Sequence, residues 1–135
     1  RPTPPHGQAA FTDRIAPALI ANARIALRLG DWPQAERSIT RFLSVRPECA
    51  EAHCIKGDIL RSKTVGREND RGLACYQKAI AINPRLAMAH RALGELYYKA
   101  GRCQDAIYHF EAFIGLSPRD ATIDYIKGYL NQCRQ

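Results

Sequence analysis

AMAHRALGELYYKAGRCQDAIYHFEAFIGLSPRD, residues Ala87–Asp120, is the stretch that decides the fold. Leu93 and Tyr97, then Ala106, Phe110, Phe113 and Ile114, recur three or four apart, which is the period of a helix with one buried face. The stretch therefore reads as two helices in antiparallel contact. Gly94 lacks a side chain and lets the helices approach closely, with Ala106 expected opposite it and Phe110 filling the space beside Tyr97. Gly101 supplies the left-handed residue that ends the first helix. Pro118 stops the second, because proline is excluded from a helix interior and disfavours helix at the residue before it.

Working outward, the same plan recurs. Ser117-Pro118 follows Asn83-Pro84 by 34 residues, and Asn83-Pro84 follows Arg46-Pro47 by 37. Each proline closes an apolar run: Ile39, Phe42, Leu43 and Val45, then Tyr76, Ala79, Ile80 and Ile82, then Phe110, Phe113, Ile114 and Leu116. The unit Ala50–Leu86 carries His53, Gly57, Leu60, Gly72, Tyr76, Ala79 and Pro84. It has Lys56 where the third unit has Leu93, and three extra residues in its turn, within Ser62–Asn69, expected to project from one edge. The unit Ala16–Cys49 has Ala23 and Ala26 in the places of Gly94 and Tyr97. The spacing predicts first-of-pair helices near 16–29, 50–62 and 87–100, and second-of-pair helices near 32–46, 70–82 and 103–116. Pro17 is expected in a first turn, Asp31 as an N-cap with Gln34 reaching back to it, and Asp120 as the N-cap of a seventh helix over 120–133.

Leu93-Gly94, Tyr97, Ala106, Phe110 and Pro118 resemble the tetratricopeptide pattern W-x2-L-G-x2-Y…A-x3-F…P, with His90 in the tryptophan place. The resemblance covers residues 16–120. It implies an all-α, right-handed α-solenoid: three tetratricopeptide-type helix hairpins at about 16–49, 50–86 and 87–120, plus a C-terminal capping helix. These form one domain over 13–135, preceded by a Pro-rich linker or tail at 1–12 that suggests a processed chain or a piece of a longer one. The function implied is that of a protein–protein interaction scaffold, not an enzyme, holding a peptide or partner segment in a concave groove lined by the first helices. The groove residues expected are Arg24, Arg28, Asp58, Arg61, Arg91, Glu95, Tyr98, Lys99 and Tyr129, with Ile20, Leu27, Cys54, Ser62 and Tyr125 alongside. Five basic side chains in that set make an acidic segment or free C-terminus a plausible ligand, since arginine grips a carboxylate through two hydrogen bonds. Chaperone-tail-binding members clamp such a terminus with a Lys/Asn set. Ile20, Arg24, Ile55, Met88 and Ala92 stand in those places, so the clamp is absent and co-chaperone function is not expected.

Composition sets the outer limits. Hydrophobic residues make up 46% of 135, a globular balance, and no apolar run is long enough to cross a bilayer. Lys and Arg number 20 against 13 acidic residues, for a net charge of +7 that can steer an acidic partner. Aromatic and basic residues are not interleaved as a single-strand platform, so nucleic acid is the less favoured partner. A regulatory or substrate-positioning segment of a larger enzyme is a further alternative. The five cysteines, Cys49, Cys54, Cys75, Cys103 and Cys133, form no C-x-x-C pair. Their odd number and the lack of an N-x-[ST] sequon favour buried thiols in a cytoplasmic protein, with an exported protein carrying one or two bridges as the alternative. His53 and His90 share a repeat position and are expected about 10 Å apart, too far to hold one metal. No catalytic, phosphate-binding or cofactor motif is present, and the expected cofactor set is empty.

Overall fold

Two glycines fold the terminal hairpins back on themselves. Gly30 and Gly101 have φ of 76° and 75°, the left-handed region glycine enters without strain. Beside them the amide of Asp31 bonds the carbonyl of Ala26 at 2.9 Å and that of Arg102 bonds Tyr97 at 2.9 Å, the reach-back that ends a helix by satisfying its last carbonyls.

The computed structural model describes residues 6–63 and 69–135, with side chains from 14 to 63 and from 72 onward. Most of the three-residue insertion and the first five residues of the expected linker lie outside that range. Seven helices are described: α1 His6–Leu29, α2 Trp32–Val45, α3 Ala50–Lys63, α4 Asn69–Ile82, α5 Ala87–Lys99, α6 Cys103–Leu116 and α7 Ile123–Cys133. No strand occurs among the described residues. α1 packs on α2, α3 on α4 and α5 on α6 as hairpins, and among the described residues each hairpin then packs mainly on its neighbours in the chain. This is an all-α stack of nearest-neighbour units.

The core divides accordingly. One cluster joins the first hairpin, with Ala23, Ile39 and Phe42, to Ala52, Ile55 and Ile59 of α3. The other joins Ala50, Cys54 and Tyr76 of the second hairpin to Leu93, Phe110 and Phe113 of the third and to Ile123, Ile126 and Leu130 of α7. α3 is thus buried on two faces, which accounts for its interrupted helical pattern.

Four local expectations need correction. α1 starts at His6, so residues 6–12 of the expected linker are helical and Pro17 lies inside a helix, not in its first turn. Proline there removes a single hydrogen bond, which the helix-forming residues around it tolerate. Asp31 does cap α2, accepting from the Gln34 amide at 3.2 Å. The Gln34 side chain does not reach back, because it donates to Ser38 Oγ at 3.3 Å and accepts from Arg37 at 2.8 Å. Asp120 binds the amide of Thr122 at 2.8 Å and its hydroxyl at 2.5 Å, forming a turn that delays α7 to Ile123. Finally, the nearest atoms to the Gly94 notch belong to a ring and not to Ala106. A Cβ built on Gly94 would lie 2.5 Å from two carbons of the Phe110 ring, and one on Gly57 would lie 2.8 Å from Tyr76. The ring of the second helix, one turn beyond the small residue, fills the glycine notch.

Candidate peptide-binding face

The first helices of successive hairpins are linked by a row of polar and aromatic contacts running from α1 to α7. Arg24 of α1 pairs with Glu51 of α3. Arg61 of α3 reaches Glu95 of α5 at 3.2 Å, and Arg91 approaches the same carboxylate at 3.7 Å from one turn earlier. Tyr98 of α5 meets Tyr129 of α7 with ring centroids 4.3 Å apart, and its hydroxyl bonds Gln132. Of the sequence-expected groove residues, this brings together Arg24, Arg61, Arg91, Glu95, Tyr98 and Tyr129.

Asp58 sits in the middle of the row and is tied to the interior. It accepts a hydrogen bond from the hydroxyl of Tyr76, which is fully buried. Burial pushes the Asp58 carboxyl up from its usual range, against the opposing pull of the Tyr76 hydroxyl, Arg61 and Arg91. Burial works against the charge of Arg61, but Glu95 and Tyr76 outweigh it, and the net shift is upward. The centre of the face is therefore a balanced cluster of two carboxylates and two guanidiniums. Its unbalanced positive charge lies at Arg28 and Lys99, exposed side chains with no ion pair or hydrogen bond among the described residues.

Cys54 departs from expectation. It is buried in the second core cluster and cannot line a groove. Burial pushes its thiol up to about 12, so it stays protonated. The two α7 tyrosines, both expected at the groove, take different places. Tyr129 is the ring that seats α7, lying 4.3 Å from Tyr98 and 5.9 Å from Phe110, whereas Tyr125 is 52% exposed and touches Tyr129 edge-on. Ile55 and Ala92, in two of the clamp places, are buried, and Ile20 is half-buried. At the α1 end, Ala16, Pro17, Ile20, Phe42 and Cys49 line an open cleft of about 750 Å³ whose rim carries Arg46, Glu48 and Glu51.

The sequence reading missed two groupings. His90 donates from Nε2 to the Pro84 carbonyl at 2.7 Å, as His53 does to Pro47 at 2.8 Å, so each repeat-position histidine ties down the preceding proline turn. A carbonyl only accepts, which leaves neutral His90 with a bare Nδ1, and His109 Nδ1–H donates to it at 3.0 Å. Tyr97 stacks on His109 at 5.5 Å. The second grouping is a disulfide between Cys103 and Cys133, with Cys49, Cys54 and Cys75 free. The expectation of five thiols fails for this pair because α7 brings its last residue back beside the first residue of α6. Repeat spacing alone does not show that return. Among the described residues no cluster of three or more metal-ligating side chains forms, and no helix is long and apolar enough to cross a membrane.

Comparison with known proteins agrees with this architecture. A family model described as TPR repeat matches residues 68–101, and one described as tetratricopeptide repeat matches 20–64. Anaphase-promoting complex subunit 3 of Schizosaccharomyces pombe is 27% identical over 90 residues, which is 67% of this chain and 13% of that protein. The chain thus spans a small part of its curated relative. Among solved structures, the Arabidopsis OM64 TPR domain has a TM-score of 0.76 at 15% identity, covering 91% of this chain and 97% of that one. The TPR2B domain of yeast Sti1 in complex with pHsp70 has a TM-score of 0.75 at 16% identity, covering 89% and 96%. With two family-model matches that together reach into all three hairpins, and a stacked-hairpin fold throughout, the chain belongs to the tetratricopeptide repeat family.

Proposed function

We propose that the first-helix face is the ligand site of this interaction scaffold, and that it takes an extended, acidic protein segment. The carrying observation is the charge layout: the central carboxylates are already paired, while Arg28 on α1 and Lys99 on α5 stand exposed and unpaired, and Tyr98, Tyr129 and Tyr125 form an aromatic edge at the α7 end. An acidic segment meets a free cation on α1 and another on α5, and at the α7 end it meets tyrosines, which are favoured in binding hot spots. The similar Sti1 domain is solved in complex with pHsp70, and the S. pombe relative is a subunit of a complex, which supports a protein ligand in place of a small molecule. The reading involves no catalytic step. The cytoplasmic preference rested on the odd cysteine count and the lack of a sequon, and the Cys103–Cys133 pairing counts against the reading of all five cysteines as thiols.

The test is fluorescence anisotropy with a fluorescein-labelled decaglutamate peptide. Arg28→Glu combined with Lys99→Glu leaves every central ion pair intact, so it reports binding and not folding. The double variant is expected to raise Kd about tenfold or more, and salt to weaken the wild-type complex. Equal Kd values for the two proteins would remove the face assignment. Tighter binding of a single-stranded oligonucleotide than of the peptide at low salt would favour the nucleic-acid alternative.

A further inference from the structure

We infer that the Cys103–Cys133 disulfide is a redox latch that holds α7 on the stack and thereby keeps the ligand face complete. This deepens the proposed function and rests on it.

α7 is the one described helix without a hairpin partner. It buries Ile123, Ile126 and Leu130 against α6 and offers no second helix to cover its outer side. Eleven residues are too few for a helix to persist alone in water, since isolated helices shorter than about 12–15 residues are marginal. Its C-terminal end has other ties, the Arg134–Glu111 ion pair and the Tyr98–Gln132 hydrogen bond, but both are exposed. Exposed pairs of this kind contribute little. The disulfide joins the first residue of α6 to the last residue of α7, 30 positions apart in sequence and 5.2 Å apart at Cα. It therefore acts where the helix is otherwise most weakly held. The same helix carries Tyr129, which stacks on Tyr98, and Tyr125, so losing α7 removes the aromatic edge of the face.

Both sulfurs belong to half-exposed residues, within reach of a dithiol reductant. One thiolate of the dithiol attacks a cysteine sulfur, forms a mixed disulfide and releases the other cysteine. Its second thiolate resolves the mixed disulfide. Two electrons and two protons pass to Cys103 and Cys133, and the dithiol leaves as a cyclic disulfide. The remaining cysteines do not compete in this exchange through Cys54 or Cys75, whose thiols are held protonated by burial.

Hydrogen exchange of the full chain, oxidised and after dithiothreitol, tests the latch. The amides of 123–133 are expected to exchange at least tenfold faster on reduction, with α1–α5 unchanged. The Cys103→Ala/Cys133→Ala double variant should match the reduced protein without reductant and not respond to it. Decaglutamate Kd should rise in step in both. Unchanged exchange in α7, or acceleration spread evenly over all helices, would overturn the latch. So would a freed α7 with an unaltered peptide Kd. A peptide that binds neither form refutes the ligand assignment, and the exchange data then still report the latch on their own.

Discussion

Replacing Gly94 by alanine is expected to destabilise the fold by about 2 kcal/mol, lowering Tm by roughly 6–8 °C, although alanine is the better helix former. The new Cβ would stand 2.5 Å from the Phe110 ring, and Phe110 is fully buried, so the ring has no route outward. Overpacking of this kind costs about 1–3 kcal/mol or more, which exceeds the gain in helix propensity of about 1 kcal/mol. The first hairpin supplies the remedy. There Ala23 occupies the glycine place and Ile39 the ring place, and both are buried in one cluster. Gly94→Ala with Phe110→Ile recreates that pairing, so the double variant should lose at least about 1 kcal/mol less than the two single losses combined. Urea denaturation of the four proteins completes the cycle, and additive losses would show that the Cβ and the ring do not meet. Gly128 of α7 is the control of opposite sign. A Cβ there meets nothing within 4 Å, so Gly128→Ala should raise stability by up to about 1 kcal/mol.

The second large effect is expected in acid. His90 and His109 are buried, and their Nδ1–Nδ1 hydrogen bond needs one nitrogen without a proton, so it cannot form with both rings charged. Burial, then the neighbouring His90, holds His109 down to about 4, with Asp105 opposing, whereas an unfolded histidine titrates near 6.5. The folded pKa is the lower of the two. The stabilisation is therefore fully present above pH 6.5 and is lost as pH falls from there toward 4, amounting to about 3 kcal/mol. Asp58 acts in the opposite sense, because its raised pKa favours the folded protein as carboxylates protonate. His109→Gln keeps a donor for His90 Nδ1 and removes the titration. Unfolding free energies at pH 7, 5.5 and 4 should fall less steeply for this variant than for the wild type, and parallel profiles would place the acid sensitivity elsewhere.

The charged centre of the ligand face was only half legible in the sequence. The three-and-four spacing of Arg24, Asp58, Arg61, Arg91 and Glu95 placed them on the first helices, because a helix period states which side of its own axis a residue occupies. It could not state that Glu95 would serve both Arg61 and Arg91, nor that Asp58 would turn inward to Tyr76. Those pairings depend on how far one helix slides along the next. As a result the free positive charge moved from the middle of the expected groove to Arg28 and Lys99.

The sequence by itself determined the three hairpins, the helix ends within them other than the start of α1, and the left-handed turn at Gly101, since each depends on residues a few positions apart acting through the backbone. Tertiary structure alone decided what crosses between helices: Phe110 in the Gly94 notch, His109 on His90, and Cys133 beside Cys103. These partners are 16, 19 and 30 residues apart. Their meeting is set by the angle and axial offset at which the ridges of one helix settle into the grooves of another, quantities that a repeat pattern leaves open.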